Sequence, residues 1–486
     1  MGAAVDEDDR VPESPAGADG QAGSSPPPAA AVVIGGSVAG LLAAAALSGA
    51  GRRVTVYERD TLTAGPAHRR GVPQDRHLHA LHARGLQALD ELLPGFRDEV
   101  LAAGGVTGDG QLDARWYLDD YLLKPARSGL EGVAISRLLL EWLIRCRVAA
   151  LPDVTIADGA EVTGLVTAGG RVTGVRVRAS RTPDAAGETV PAGLVLDASG
   201  RGSRTPGWLA ELGFPAPGTS RIRASATYVC RSYAADPKQL DGRIGALATL
   251  YPGKPRGGAV LRLEGNRFMV LLAGMAGEQP PLGEAGMLAF AESLACPDIA
   301  AVMRECAPLD DPVKHTYPES VRRHYEKLPA YLGGFLVCGD AFSSFNPVYG
   351  QGMTIAALEA LALRGLLAVP GGRSGRADVP AGLERRYFRA AGKLVAEAWQ
   401  TSAVNDLRFP EIAGSRALAG RLLGAYVDKY RAAASVDPVL GRTFLRVANM
   451  IDRPAKLLSP GHVLRVFRSA GKAVRSVPVR VEHETQ

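Results

Sequence analysis

Three carboxylates in this chain stand at the end of short strand-like runs: Asp197 and Asp340, each beside a glycine-containing turn, and Glu58, closing the strand that follows one. A carboxylate so placed can accept from sugar hydroxyls, while the turn lets backbone N–H groups and a helix N-terminus meet an anion or an electron-rich ring. The first set is AVVI at 31–34, GGSVAG at 35–40, LLAAAAL at 41–47, then RVTVY at 53–57 leading to Glu58, 18 positions after Gly40. Strand, turn, helix and acid at that spacing form a dinucleotide fingerprint. Gly35, Ser37 and Gly40 hold its glycine positions; the middle one is serine, small enough for a pyrophosphate to approach but less free in its backbone. Glu58 reads as the acceptor for ribose hydroxyls, or else as a surface acid closing a strand. At 333–353 an apolar run reaches Gly339 and Asp340, a loop carries Asn346 and Pro347, and Gly350 and Gly352 open an apolar helix from Met353. Lying about 300 residues beyond the fingerprint, this second arrangement argues for a flavin rather than a nicotinamide. The run LVLDASGRGSR at 194–204 repeats the theme around Asp197.

Basic and imidazole groups crowd one loop, HRRGVPQDRHLH at 68–79. It is expected to fold over a cofactor or line its anionic edge, with Arg70 as a contact, or else to be ordinary solvated loop. His77, His79 and His82 have no carboxylate at helical spacing to complete a metal set, so no metal site is expected. Arg137 follows Ser136 in the first turn of a helical run, SRLLLEW at 136–142, where the helix dipole disfavours a cation. A phosphate or ring partner explains it better. Val162, in a strand-like segment, is counted with the cofactor contacts. No catalytic acid or base is identified.

The elements around these residues suggest an α/β chain (α+β overall). A Rossmann-like, glutathione-reductase-type nucleotide domain would comprise 30–105, 130–210 and 325–370. An inserted antiparallel β-sheet substrate domain would comprise 106–129 and 211–324, where strand-like segments alternate with Gly/Pro turns. A helical region would follow at 371–486, and 1–29 would be a disordered, acidic, proline-rich tail. With 486 residues, 46% hydrophobic and 22% charged, the chain has room for about two or three globular units. The apolar run over 29–51 is long enough to suggest a membrane span, but Gly35, Gly36, Gly40 and Gly49 inside it fit a β-turn-α unit better. Five scattered cysteines without CxxC spacing indicate neither a disulfide framework nor zinc, and point to a reducing, cytoplasmic setting. Residues 1–30 carry a net −5, leaving +11 on the body of a +6 chain. That body suits anionic small molecules or an acidic carrier protein, or is simply arginine-rich surface; with no lysine-rich arm, nucleic acid is not expected. The basic, apolar stretch over 462–477 reads as a solvated helix packed on its domain, or as peripheral contact with a membrane surface.

Taken in order, GGSVAG with Glu58, DASGRGSR at 197–204, and GDA with NPVYGQG at 339–352 resemble the FAD-dependent monooxygenases of the para-hydroxybenzoate hydroxylase group. Within that group, GVPQDRHLHA at 71–80, SRLLLEW at 136–142 and GDAFSSFNPVYGQGM at 339–353 are similar to the bacterial polyether epoxidases of the monensin and lasalocid type. The resemblance spans roughly residues 31–360. It implies that Gly35, Ser37 and Gly40 pass the pyrophosphate of FAD, that Glu58 and Arg59 meet its adenosine, and that Arg137 reaches the cofactor from its helix. It implies further that Asp340 binds ribitol or pyrophosphate, and that Pro347, Gly350, Gln351, Gly352 and Met353 lie at the isoalloxazine. Asp197 would be the aspartate of the mid-chain motif, which here reads Asp-Ala where the group has Asp-Gly. The implied chemistry is reduction of the flavin by NAD(P)H, which visits rather than resides, and reaction with O₂ to a C4a-hydroperoxide. That species would epoxidise or hydroxylate a bulky apolar secondary metabolite, such as a polyketide polyene. The alternatives are aromatic hydroxylation and oxygen-independent reduction of isoprenoid double bonds. The Trp-x-Trp-x-Ile-Pro signature of flavin halogenases is missing, since Trp116, Trp142, Trp208 and Trp399 are isolated. Substrate choice is expected to lie in the inserted sheet.

Overall fold

The computed structural model describes residues 30–79, 81–181, 187–236, 238–368, 379–414 and 418–476, so the expected 1–29 tail lies outside the described residues. Its centre is a five-stranded parallel sheet in the order Phe335–Val337, Leu194–Asp197, Ala30–Ile34, Arg53–Glu58 and Val154–Asp158. The inner strands are nearly continuous apolar runs because helices or a second layer cover both faces. Register pairs Ile34 with both Tyr57 and Asp197, and Asp197 with Val337. The strand ends carrying Glu58 and Asp197, and the turn to Asp340, therefore lie along one carboxyl edge, where open parallel sheets bind ligands. Helix Val38–Ser48 is buried on almost every side, between this sheet and helix Gly352–Leu367. Within the apolar run over 29–51, the described residues thus form one strand and one 11-residue helix. No helix among the described residues is long and apolar enough to cross a membrane.

A second sheet of seven strands runs Val313–Tyr317, Ala226–Ala234, Arg267–Gly274, Arg256–Leu263, Gly245–Ala248, Ala114–Leu118 and Tyr121–Leu122. It is antiparallel except where Gly245–Ala248 meets Ala114–Leu118 in parallel. Two helices, Glu284–Glu292 and Pro297–Glu305, back one face and bury Met287, Phe290, Ile299 and Val302. The strand-rich reading of this stretch leaves these helices out, because their short apolar period sits among Gly/Pro breaks; Pro297 is a helix-starting proline. Val106–Asp109 pairs with Glu131–Ala134 in a separate two-stranded ribbon.

The helices beyond residue 379 pack in two different places. Leu383–Asp406 joins the core of the parallel-sheet layer through Leu383, Tyr387, Phe388 and Val395, and the Phe388 ring stacks on Tyr325 and Tyr331. Leu418–Ala434, Pro438–Ala448 and Pro460–Ser469 form a smaller core with Leu118, Leu123 and Leu130. They meet the seven-stranded sheet through Leu118 and Trp116 of strand Ala114–Leu118.

Candidate cofactor and substrate cavity

Between these layers runs a cavity of about 1160 Å³, larger than the roughly 300–1,000 Å³ of a site for one drug-sized ligand. One end lies at the first turn. Gly35 has φ +103, and a Cβ there would come within 2.7 Å of the Ala198 carbonyl oxygen, so the residue must be glycine. Gly36 N–H donates to Glu58 Oε2 at 2.8 Å and Asp60 N–H to Glu58 Oε1 at 2.9 Å. Gly40 lies behind the turn rather than in the cavity wall, its Cα so close to the Gly35 carbonyl that a Cβ would sit 1.8 Å from the oxygen. It sets how tightly helix packs on strand.

A buried ionic net crosses the front of this helix. Ser37 Oγ donates to Glu141 Oε2 at 2.8 Å, Arg137 Nη2 reaches Ser37 Oγ at 3.0 Å and Glu141 at 2.6 Å, and Arg69 bridges Glu141 and Glu58. Burial would push the Glu141 carboxyl up, but Arg137 and Arg69 beside it outweigh that and hold it below the ordinary range. Arg137 is 6% exposed, and its Nη1 meets no hydrogen-bond partner in the protein. An unpaired guanidinium N–H at a helix N-terminus fits the pyrophosphate of a dinucleotide.

The far wall is 339–353. Asp340 lines the cavity, and no hydrogen bond from a described residue reaches its carboxylate. Burial raises this carboxyl against the pull of Arg201, Arg137 and Arg323. Gly352 begins its helix in open space, with Asp340 Oδ1 4.0 Å from where a Cβ would be. The loop before it is clamped: Tyr228 O–H donates to Asn346 Oδ1 at 2.8 Å, while Asn346 Nδ2 and Tyr349 O–H donate to Asp406 Oδ1 at 3.0 and 2.7 Å. Ser402 Oγ holds Gln351 Oε1 at 2.7 Å. Burial pushes the Asp406 carboxyl up to about 6 despite its two donors. This set of donors and small residues along an elongated cavity fits FAD.

Of the residues singled out in the sequence, Gly35, Ser37, Glu58, Arg59, Arg137, Val162, Asp340, Pro347, Gly350, Gly352 and Met353 line this cavity. Val162 does so at a β-bulge, where its carbonyl accepts from Arg204 Nη2 at 2.9 Å. Three others, Arg70, Asp197 and Gly40, are not in the cavity wall. Arg70 is exposed and outside the cavity wall; its neighbour Arg69 turns inward because Glu58 and Glu141 neutralise it there. Asp197 is fully buried and spent on its own turn, accepting from Ser199 N–H at 2.8 Å, Ser203 Oγ at 2.6 Å and Thr205 Oγ1 at 2.5 Å. It shapes the 198–202 loop instead of facing a ligand. Gly40 is the packing position already described.

The sequence reading missed Arg69, Glu141, Arg201 and Asp406; only Glu141, at i,i+4 from Arg137, left a local signal. The three histidines all line the cavity, and burial lowers His77, His79 and His82 to about 4, 3 and 4, so they are neutral imidazoles at neutral pH. Among the described residues no cluster of three potential metal ligands exists. Both ring nitrogens of His77 are buried without a hydrogen-bond partner, and its ring packs against His315.

Residues 31–210 match the FAD-dependent oxidoreductase family model. Protein Rv3254 of Mycobacterium tuberculosis is 34% identical over 412 residues, which span 82% of this chain and 85% of that protein. Among solved structures, the flavin-dependent brominase Bmp2 superposes with a TM-score of 0.61 at 15% identity, covering 91% of this chain and 98% of its own. PqsL of Pseudomonas aeruginosa, described as a probable FAD-dependent monooxygenase, gives 0.57 at 16% identity over 78% of this chain and 96% of its own. These two likenesses are of fold. The chain belongs to the family of the mycobacterial protein Rv3254, within the FAD-dependent oxidoreductases.

Proposed function

We propose that the protein is a monooxygenase that inserts one atom of O₂ into a bulky apolar metabolite, by epoxidation or hydroxylation, with NAD(P)H as the reductant. The observation that carries this reading is the continuity of the cavity. Its polar end, at Ser37, Glu58 and Arg137, passes without a partition into a compartment walled by Trp116, Leu118, Leu250, Val404, Phe444 and Leu457. FAD, when bound, would supply the electron transfer and the activation of O₂.

The protein's own residues would do the rest. Gly35, Ser37 and the unpaired Arg137 N–H would hold the pyrophosphate, Glu58 the ribose, and Asp340 a hydroxyl of the linking chain. The helix beginning at Gly352 would direct its N-terminal N–H groups toward negative charge on the ring. Apolar walls would exclude water from the reacting centre. The clamp of Tyr228, Asn346, Tyr349 and Asp406 would keep the loop preceding Gly352 fixed as the substrate enters. A polyketide polyene is the substrate class favoured by the resemblance at 71–80, 136–142 and 339–353.

The test is aerobic oxidation of NADPH and of NADH by the FAD-loaded protein over a panel of polyene and aromatic compounds, with product masses. A product heavier by one oxygen atom, labelled from ¹⁸O₂, is expected. Turnover that proceeds equally without oxygen would overturn the reading.

A further inference from the structure

Most of the large hydrophobic side chains that the described structure leaves exposed lie in its last three helices and their connections. Leu422 is 65% exposed, Leu458 49%, Leu464 57% and Phe467 62%, with Val439 and Val474 nearby in sequence. Elsewhere only Leu282 and Leu309 are comparable among the described residues. Several of these belong to one surface. Leu464 and Phe467 are three apart on helix Pro460–Ser469, whose one buried residue is Val466. Lys429, seven residues and so two turns beyond Leu422 on helix Leu418–Ala434, sets its Nζ 5.4 Å above the Phe467 ring. These helices pack directly on each other and on the Pro454–Leu458 turn.

The same segment is strongly basic. Residues 418–476 contain eleven Lys and Arg against three Asp and no Glu, a net +8 in a chain whose total is +6. Arg453, Lys456, Arg465, Arg468 and Lys472 are all exposed between or beside the apolar residues. The cavity also reaches this surface. Leu423, next to Leu422, and Tyr426, about one turn further on, line it, and Leu458 both lines it and stands half in solvent.

We infer that this face docks the protein on an anionic lipid bilayer, with Leu422, Leu458, Leu464 and Phe467 entering the acyl boundary and the surrounding cations resting on lipid phosphates. Protruding leucine and phenylalanine beside arginine and lysine are what an interfacial helix presents. A second copy of the chain is disfavoured on this face, because it would bring together two surfaces each carrying the exposed Arg453, Lys456, Arg465, Arg468 and Lys472. The mouth at Leu458 then opens toward the acyl region, and an apolar substrate passes from lipid to cavity without crossing water. That last step rests on the monooxygenase reading; the docking does not.

The experiment is co-sedimentation of the full-length, FAD-loaded protein with vesicles of phosphatidylcholine alone and of phosphatidylcholine mixed with phosphatidylglycerol. Binding to the mixed vesicles, weakened by salt and by the absence of phosphatidylglycerol, is expected. Leu464→Ser/Phe467→Ser should weaken it by about tenfold or more, while the exposed Leu309→Ser should not. Retained flavin colour and an unchanged melting temperature in the double variant verify that it is folded. Absence of binding to the mixed vesicles, or equal binding by the double variant, overturns the inference. So does a dimer abolished by the double variant, or capture of an acidic acyl carrier protein, if either occurs without vesicle binding. Because binding is read without turnover, a protein that binds vesicles yet oxygenates nothing supports the docking and sinks only the function.

Discussion

Glu359 should make the stability of this protein fall as pH rises through neutrality. It lies on helix Gly352–Leu367, 1% exposed, beneath the turn that presents Asp340. Its Oε2 accepts from Gly339 N–H at 2.7 Å, whereas Oε1 is buried with no hydrogen-bond partner. Burial pushes its carboxyl from 4.5 up to about 8; the Gly339 N–H opposes the shift and the Asp340 charge adds to it. Between pH 4.5 and about 8 the folded protein thus keeps a proton that the unfolded chain has released. Stability is therefore full below the unfolded value and is lost progressively up to the folded one. The span of about 3.5 units corresponds to about 5 kcal/mol in all, of which about 3 kcal/mol falls between about pH 6 and about pH 9.

Glu359→Gln removes the titration while keeping an oxygen for Gly339 N–H and a donor where the protonated acid had one. Melting the FAD-loaded wild type and variant side by side at matched pH reads the effect as a difference, in which contributions common to both proteins cancel. The variant should gain on the wild type steadily from about pH 6, and the gap should stop widening above about pH 8 to 9. A constant gap over that range would refute the reasoning, for it would mean that Glu359 ionises as it does in water.

Asp340→Ala, at a carboxylate with no protein donor among the described residues and three arginines within its field, should purify with little flavin; full retention would place the cofactor elsewhere. Arg69→Met leaves Glu58 and Glu141 buried without their shared cation and should cost about 3–5 kcal/mol, whereas Arg70→Met on the exposed neighbour should leave the melting temperature unchanged. Equal effects of the two would return the role to Arg70. Gly40→Ala drives a Cβ into the Gly35 carbonyl and should cost at least the upper end of the ~1–3 kcal/mol typical of overpacking; a variant that melts like the wild type would show that the turn gives way.

What was legible in the sequence was whatever is encoded locally. The strand-turn-helix at 31–47, the acid 18 residues on and the glycines before Met353 each form a local pattern, because a backbone turn and a helix start are short-range events. Arg137 was legible for the opposite reason, as a cation where helix physics disfavours one. Arg69 against Arg70 was not, since adjacent arginines in a loop differ only in which way the backbone turns them. The loop partners of Asp197 were not legible either, because an acid at a strand end looks the same whether it faces a ligand or its own loop. Asp406 was out of reach: its partners Asn346 and Tyr349 lie 60 and 57 residues away, joined only when helix Leu383–Asp406 packs beside the loop.

The division of the cavity also bears on where specificity resides. The sequence placed substrate choice in the inserted sheet, yet that sheet supplies only part of the apolar compartment, through Trp116 and Leu118, with Leu250 just beyond strand Gly245–Ala248. The rest includes Val404, Tyr426, Phe444 and Leu457, all beyond residue 379 and outside the matched 31–210 segment. The two parts differ in how far they can change. The sheet face shares its strands with the core around Val229, Val260 and Val270, so a new side chain there disturbs packing on both faces. The last three helices share a small core with Ala83, Leu118, Leu123 and Leu130 that includes no strand of the parallel sheet, so their cavity-facing residues can vary without moving Asp340, Arg137 or that sheet. Substrate differences between this chain and its relatives should therefore map first to those helices, where changes in pocket shape disturb the fold least.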